Sequence, residues 1–337
     1  MKNEIILVFH GDDPDGIIFA ALFVRAFNSN IKLIPCSYQN RERIFRQLVA
    51  EAQGKEVWIG DIDAEDYHLD GEKETVLELL AANTKEMVWI DHHSGTRKFI
   101  HIFKKYGHVV IMGDERKVCT AELIRERELP NDKYGYFLAR VARESDYPPI
   151  AGAPINIFVE VGAGLQKIIS YYNTRNDVEG LLGLVKRIAK NYFWWHSREF
   201  SPDYKQIIQA VDASVNQAQA ESFEKRVFVN IKGRVFLMAC ADEILYDKKT
   251  VIDLRDGFAG EIDGVAVYFL PPRSHVLFFS GTRSGFNAQK FCESMGGGGR
   301  DGDKGGFPSA INYGRDEFNK FVDFLSERLG EFIKNGG

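Results

Sequence analysis

Short apolar runs alternate with amphipathic stretches over the first 150 residues, and this alternation constrains the fold more than any other feature of the sequence. The runs have the length and composition of buried strands, and they are Ile5–Phe9, Ile31–Pro35, Val57–Ile59, Met87–Ile90 and Val109–Ile111. Helical patterns lie between them at Ile17–Phe27, Arg41–Ala52 and Lys73–Ala82. Alternating strands and helices predict an α/β fold in which a parallel sheet carries helices on both faces.

The rest of the chain has a different pattern. Long helical stretches occupy much of residues 156–225, and strand patterns return from residue 226 onward. These later strand patterns are Val227–Ile231, Val235–Ala239, Gly264–Leu270 and Val276–Phe279, and helical patterns follow at Asn287–Met295 and Asp316–Ile333. We therefore predict an α/β domain over residues 1–155, a helical connector over 156–225 and a smaller mixed α/β domain over 226–337.

The composition limits the classes of function. Lys and Arg number 43 against 48 Asp and Glu, which leaves a net charge of −5, whereas proteins that track long nucleic acid are usually basic. This balance favours a small anionic substrate. No apolar run approaches the ~20 residues that cross a bilayer, and the N-terminal run is too short and too acidic for a signal peptide. We therefore expect a cytoplasmic protein without a membrane partner.

Acidic and histidine side chains follow three of the predicted strands, at the point where each strand ends. His10 and the sequence Gly-Asp-Asp-Pro-Asp-Gly end the first strand, Asp61 follows the third, and Asp91, His92 and His93 follow the fourth. Ligands of open α/β sheets bind outside the carboxyl ends of the strands. We therefore expect these side chains to meet at one edge of the sheet.

Carboxylates crowded at one edge raise one another's pKa unless a cation neutralises them. A mixed set of carboxylate and imidazole ligands suits Mn²⁺, Co²⁺ or Zn²⁺ better than Ca²⁺. The number of acidic residues predicts two ions, which in such sites lie about 3.5–4 Å apart and clamp a phosphoryl group. We expect two Mn²⁺ ions, with Mg²⁺ or Co²⁺ as alternatives.

These residues resemble the motifs of the DHH phosphoesterase superfamily, which is named for the triplet that Asp91, His92 and His93 supply. An Asp-His-His triplet after a strand, preceded by a strand that ends in Asp and by an N-terminal His…Asp-x-Asp-Gly segment, is a specific combination. Asp146 stands where the family has a single Asp after a helix. The resemblance covers most of the chain apart from residues 150–225.

The resemblance implies a role for each residue of the motifs. His10 and Asp13 would bind the first metal ion, Asp15, His92 and Asp146 would bind the second, and Asp61 would bridge the two. Asp91 would orient the imidazoles, and His93 would contact the substrate phosphate and stabilise charge in the transition state. One register is open, because the Asp-x-Asp-Gly pattern selects Asp13 whereas a His-x-Asp pattern selects Asp12; we favour Asp13.

The resemblance extends to a DHH-associated C-terminal domain, in which an Arg-Ser pair precedes a helix and a glycine-rich segment. The substrate contacts that it implies are Arg283, Ser284, Gly297, Gly298, Gly299 and Arg300. Glycine-rich turns present backbone amides to phosphate oxygens. The histidine that follows three glycines in the family is absent here, and Arg300 or Lys304 would have to replace its contact.

The resemblance implies hydrolysis of phosphoesters by a hydroxide that bridges two metal ions. Our leading interpretation is a metal-dependent phosphodiesterase or phosphatase acting on small nucleotides: short oligoribonucleotides, linear dinucleotides or phosphoadenosine phosphate, bound in the cleft between the domains. One alternative is a RecJ-like single-strand exonuclease, and another is a non-catalytic Cdc45-like binding protein. The sequence is compatible with a homodimer but does not specify one.

Overall fold

The computed structural model describes residues 4–27, 30–69, 71, 73–114, 118–147, 156–190, 199–241, 247–270, 275–281, 285–300, 302–309, 311 and 313–336. The chain divides into two compact units, Met1–Ile207 and Ile208–Gly337, and each unit has its own sheet. This division falls inside a long helix, α9 (Pro202–Glu224). The separate connector over residues 156–225 stays a prediction.

The described part of the first unit contains a five-stranded parallel sheet with strand order β2-β1-β3-β4-β5. Its strands are β1 (Ile5–His10), β2 (Ile31–Cys36), β3 (Glu56–Gly60), β4 (Glu86–Asp91) and β5 (Val109–Met112). All six residues of β1 are buried, as expected for a strand covered on both faces. The α/β fold predicted for this part of the chain is confirmed.

Eight helices of the first unit lie within the described residues. They are α1 (Pro14–Ala26), α2 (Arg41–Glu51), α3 (Val76–Asn83), α4 (Ile100–Lys105), α5 (Thr120–Glu128), α6 (Lys133–Asp146), α7 (Ile157–Thr174) and α8 (Val178–Ala189). Buried side chains of α2, α3 and α4 share one hydrophobic cluster with Ile6 and Val8 of β1. In α1 the apolar residues from Ile17 to Phe23 are all fully buried. Burial of this kind contributes roughly 1.5–3 kcal/mol per large apolar side chain.

The strand order explains where a ligand site can form. The chain runs from β1 to β2 on one side and then returns to place β3 on the other side of β1. In open α/β sheets, such a reversal of direction leaves a crevice at the carboxyl ends of the two diverging strands. His10 is the last residue of β1, and Asp61 directly follows β3. The crevice therefore opens between these two residues.

The start of α1 packs tightly against the end of β1, and Gly16 makes this approach possible. A Cβ atom at Gly16 would lie 2.1 Å from the carbonyl oxygen of His10, closer than real Cβ contacts allow. The glycine of the Asp-x-Asp-Gly sequence thus has a steric function. It brings Asp13 and Asp15, at the start of the helix, beside the end of the strand.

The second unit contains a mixed six-stranded sheet with strand order β10-β11-β9-β8-β7-β6, in which β7 and β8 are parallel and the other neighbours are antiparallel. Its strands are β6 (Val227–Ile231), β7 (Arg234–Ala241), β8 (Gly264–Phe269), β9 (His275–Ser280), β10 (Gly298–Arg300) and β11 (Lys304–Pro308). Its further helices are α10 (Asp247–Gly257), α11 (Ala288–Ser294) and α12 (Phe318–Lys334). The predicted mixed α/β class of this part is confirmed.

Short 3-10 turns lie at Gly95–Phe99 and Arg315–Glu317.

Across the described ranges, every helix is too short or too polar to span a bilayer.

Candidate metal centre

Acidic and histidine side chains from the end of β1, the start of α1, the residues after β3 and β4 and the end of α6 converge at the carboxyl edge of the first sheet. They form three overlapping groups, and within each group the possible ligand atoms lie within 4.8 Å of one another. The groups are His10 with Asp13 and Asp61, Asp15 with His92 and Asp146, and Asp61 with His92 and His93. The ligand residues named from the sequence therefore lie together, and Asp61 belongs to two groups.

The first group is centred on His10. Its Nδ1 atom lies 3.0 Å from a carboxylate oxygen of Asp13 and 3.6 Å from one of Asp61. Both ring nitrogens are buried, and neither makes a hydrogen bond of good geometry with any described residue. Buried polar atoms are rarely left this way in proteins. An imidazole aimed at two carboxylates without such a bond is suited to a cation between them.

Asp13 combines two functions. One carboxylate oxygen accepts a hydrogen bond from the backbone amide of Gly16 at 3.1 Å and so caps the N-terminus of α1. The other oxygen faces His10. Asp12 is held differently, because Asn173 of α7 donates to one of its oxygens at 3.0 Å and Gln166 donates to its backbone carbonyl. The group of possible ligand atoms around His10 includes Asp13, whereas a carboxylate oxygen of Asp12 lies 3.8 Å from Nε2 of His10, and the choice of Asp13 as the ligand stays a prediction.

The second group is centred on His92. Its Nε2 atom lies 3.5 Å from an oxygen of Asp61, 3.6 Å from Asp146 and 3.9 Å from Asp15. Its other ring nitrogen, Nδ1, lies 2.8 Å from the hydroxyl of Tyr147. The imidazole therefore has one edge among three carboxylates and the other edge against a phenol.

The N-terminus of α5 holds two of these carboxylates in place. Backbone amides of Thr120 and Ala121 each donate to one oxygen of Asp15, both at 2.8 Å. The hydroxyl of Thr120 donates to Asp61, also at 2.8 Å. The positive end of the helix dipole favours negative charge at this position. Sequence analysis did not identify Thr120. Its one signal is that α5 begins after β5, whose carboxyl end lies at the same edge of the sheet.

Asp61 has an unusual backbone for a residue with a side chain. Its φ angle is +59°, in the left-handed region that few residues other than glycine adopt. Such a conformation costs of the order of 1 kcal/mol and persists where the surrounding structure imposes it, often at functional sites. Here it places a carboxylate between His10 and His92.

Asp91 is fully buried and serves the other histidine of the triplet. It lies 2.7 Å from Nδ1 of His93, and it accepts from the backbone amide of His92 and from the hydroxyl of Thr96. Asp91 therefore orients His93 through its ring. With His92, by contrast, Asp91 makes a hydrogen bond to the backbone amide, and its carboxylate does not set the direction of that ring.

Burial disfavours the charged form of both central imidazoles, but the neighbouring carboxylates outweigh it. The charge of Asp13 raises the pKa of His10 well above its ordinary value. Hydrogen bonding to Asp61 and the charge of Asp15 raise the pKa of His92 to about 10.

The pKa values of the Asp15 and Asp61 carboxyl groups are shifted in opposite directions. Burial and the charge of Asp61 raise the pKa of Asp15 well above its usual value. Burial also acts to raise the pKa of Asp61, but the adjacent imidazoles of His10 and His92 lower it far below its usual value. These buried carboxylates thus need nearby positive charge, which protonated imidazoles can supply. A divalent cation bound by the same atoms would supply it instead, so the residues fit such an ion.

The substrate-binding residues predicted for the second unit are only partly described by the structure. Arg283 and Ser284 lie outside the described residues, and so does the side chain of Arg300. Gly298 and Gly299 lie in β10, which pairs with β11. A Cβ atom at Gly297 would lie 2.0 Å from the carbonyl oxygen of Gly306, so this glycine permits close strand approach. Their contacts with phosphate stay predictions.

Solved structures of RecJ resemble this chain over almost its whole length. The Mn²⁺ complex of RecJ from Thermus thermophilus has a TM-score of 0.61 at 14% identity, covering 99% of this chain and 52% of that one. An exonuclease RecJ bound to manganese has a TM-score of 0.61 at 13% identity, covering 98% and 90%. The Mg²⁺ complex of the Thermus thermophilus protein has a TM-score of 0.56 at 12% identity, covering 99% and 50%.

The chain thus spans about half the length of the Thermus RecJ. No protein-family model and no curated protein sequence matches it. At these identities the likeness establishes a shared fold, and the chemistry has to be argued from this chain's own residues.

Proposed function

Because the chain has the fold of the DHH phosphoesterases, we propose that it is a divalent-metal-dependent phosphoesterase that hydrolyses small nucleotide phosphoesters. The observation that carries the proposal is that Asp61 lies beside two ligand groups, with its oxygens 3.6 Å from Nδ1 of His10 and 3.5 Å from Nε2 of His92. Two such groups joined by one carboxylate are the arrangement that a two-metal phosphoryl-transfer site requires.

In this proposal His10 and Asp13 hold one ion, and Asp15, His92 and Asp146 hold the other, with Asp61 contacting both. The ions, Mn²⁺ in our proposal and Mg²⁺ or Co²⁺ as alternatives, would supply Lewis-acid charge and a water molecule of lowered pKa. The presence of Mn²⁺ or Mg²⁺ in RecJ structures of the same fold supports this choice.

His93 is the group that contacts the phosphoryl oxygens. Although burial opposes its charged form, the hydrogen bond from His93 to Asp91 raises the pKa of the imidazole and so favours the protonated ring. A cationic donor fixed in this way stabilises negative charge that develops on the phosphoryl group. Asp91 acts as the positioning residue, since its carboxylate sets the direction of the His93 ring.

One feature supports a nucleotide as the substrate, and a second supports a short one. Tyr38 follows β2 at the same sheet edge, the residue is 48% exposed, and its ring centroid lies 5.1 Å from that of His10. An exposed aromatic ring beside a phosphate site provides a surface on which a base can stack. The net charge of −5 favours a short substrate over a long polyanion.

The test is hydrolysis of labelled oligoribonucleotides, from dinucleotides to long single strands, by the purified chain in Mn²⁺. We expect release of mononucleotides, fastest from the shortest substrates, and no release by the Asp61→Asn variant prepared in parallel. That variant controls for a contaminating nuclease. Absence of mononucleotide from wild-type protein at every substrate length contradicts the proposal.

The second candidate is a RecJ-like single-strand exonuclease, which the similarity to RecJ favours. It predicts faster degradation of long strands and a steep loss of rate with added salt. The same length series therefore separates the two. A non-catalytic Cdc45-like binding protein is the third candidate, and it predicts a chain that contains no divalent metal by elemental analysis.

A further inference from the structure

His92 and His93 are consecutive in sequence, but their Nδ1 atoms have different partners. Nδ1 of His93 lies 2.7 Å from the Asp91 carboxylate, whereas Nδ1 of His92 lies 2.8 Å from the hydroxyl of Tyr147. A carboxylate partner stabilises an imidazolium, and a neutral phenol does so much less. The two partners thus suit a cationic His93 and a neutral, metal-binding His92.

The geometry requires one protonation pattern when an ion is bound. Nε2 of His92 faces the oxygens of Asp15, Asp61 and Asp146, so an ion there needs the lone pair of Nε2. The ring proton then resides on Nδ1, where the Tyr147 oxygen accepts it. A protonated imidazole also carries a proton on Nδ1, and the same acceptor serves both forms.

We propose that Tyr147 is the positioning residue of His92: its phenolic oxygen accepts the Nδ1 proton and thereby directs the Nε2 lone pair at the ion held with Asp15 and Asp146. This inference rests on the proposed metal-dependent function. It adds a residue that the motifs do not contain.

The position of Tyr147 in the fold supports this role. It directly follows Asp146 as the C-cap of α6, and its backbone amide donates to the carbonyl of Arg143 at 2.8 Å. One helix end therefore delivers both a carboxylate ligand and the partner of the imidazole that shares the ion. The ring planes of Tyr147 and His92 are nearly perpendicular at 83°, so the contact is made through the hydroxyl rather than by stacking.

The test is Mn²⁺ titration of the full chain, followed by electron paramagnetic resonance, for wild type and Tyr147→Phe. Loss of a hydrogen-bond partner behind a ligating histidine typically weakens metal binding by about 10–100-fold. We expect a loss of this size in one of the two binding steps, with the step that depends on His10 and Asp13 unchanged. Thermal unfolding without metal should differ little between the proteins.

Tyr136→Phe is the matched control, because Tyr136 is an exposed tyrosine of the same helix. It should bind Mn²⁺ as wild type does. Equal affinities of wild type and Tyr147→Phe at both steps overturn the inference while leaving the proposed function intact. Weakening of both steps together, with a lowered melting temperature, overturns it in favour of a general structural role. A wild-type chain that binds no Mn²⁺ overturns the inference and the proposed function together.

Discussion

At the residue scale, Thr120 connects carboxylates from two different elements. Its amide donates to Asp15 at the start of α1, and its hydroxyl donates to Asp61 at the end of β3. A buried carboxylate without such donors would be free to rotate away from the ion. Thr120 therefore limits the motion of the one ligand that the two proposed metal sites share.

Replacing Thr120 by Val removes the hydroxyl and keeps the shape and the backbone amide. We expect the Mn²⁺ concentration for half-maximal activity to rise about 10-fold, by the same reasoning as for other groups that orient a ligand. Thr120→Ser retains the hydroxyl and is the control. Identical Mn²⁺ dependence of the Val and Ser variants would rule out this role of the hydroxyl.

Tyr38 is expected to determine preference for a nucleoside. Stacking of a base on an aromatic ring is worth about 1–3 kcal/mol, so Tyr38→Ala should lower kcat/KM for dinucleotides by about 10-fold or more, mainly through KM. Tyr38→Phe retains the ring and should behave as wild type. A phosphoester without a base, such as ribose 5-phosphate, should be hydrolysed equally by all three proteins. An equal loss for both substrates would argue against stacking.

At the element scale, α6 carries the proposed ligand Asp146 at its last residue and is anchored at its first. Asp132 caps the helix by accepting from the amide of Tyr134 at 3.0 Å, and it pairs with Arg25 of α1. Burial alone would raise the pKa of Asp132, but the hydrogen bond from Arg25 and the cap lower it. The charged form is therefore the one that stabilises the fold.

Two substitutions separate the cap from the charge. Asn also caps helices, so Asp132→Asn removes the pairing with Arg25 alone, whereas Asp132→Ala removes both and should cost about 1 kcal/mol more. Since the folded pKa is lowered, the stability from the charge is present above the unfolded pKa of about 3.9 and is lost as pH falls through the folded value. Urea unfolding across pH should show wild type and Asp132→Asn converging in strong acid. A constant difference at all pH values would contradict the assignment.

The elements differ in how far the sequence predicts them. The strands of the first sheet are continuous apolar runs, and each forms within two residues of its predicted bounds. The strand order was not predictable, since it depends on which side of β1 the chain returns to. The short, charged helix α10 has few apolar residues, the hairpin of β10 and β11 is rich in glycine, and both were missed.

The candidate site also has residues that the sequence predicts and residues that it does not. The convergence of the acidic and histidine side chains at the strand ends was predictable, because parallel strands bring their carboxyl ends to one edge. Thr120, Tyr147 and Asn173 were not, since each acts on a side chain that lies far away in sequence. Tertiary contacts of this kind leave no local pattern.

At the scale of the whole molecule, every residue of the three ligand groups belongs to the unit Met1–Ile207. Metal alone should therefore stabilise this unit. We expect hydrogen exchange, followed by mass spectrometry, to slow on addition of Mn²⁺ at the ends of β1, β3 and β4 and in the first turn of α5. Exchange in the six-stranded sheet should not change, and Asp61→Asn should show no slowing. Protection of the second sheet by Mn²⁺ alone would indicate a metal site that these groups do not account for.

The two amide bonds to Asp15 have a consequence for how the chain tolerates sequence change. Every amino acid except proline carries a backbone N–H, so any substitution that fits the fully buried positions 120 and 121 leaves these donors in place. The backbone hydrogen bonds to Asp15 therefore survive such substitutions. The contacts made by the Thr120 hydroxyl and the Tyr147 phenol are each lost with a single substitution. A change of side chain at positions 120 and 121 therefore alters the space that the residue fills but not the backbone hydrogen bonds to Asp15.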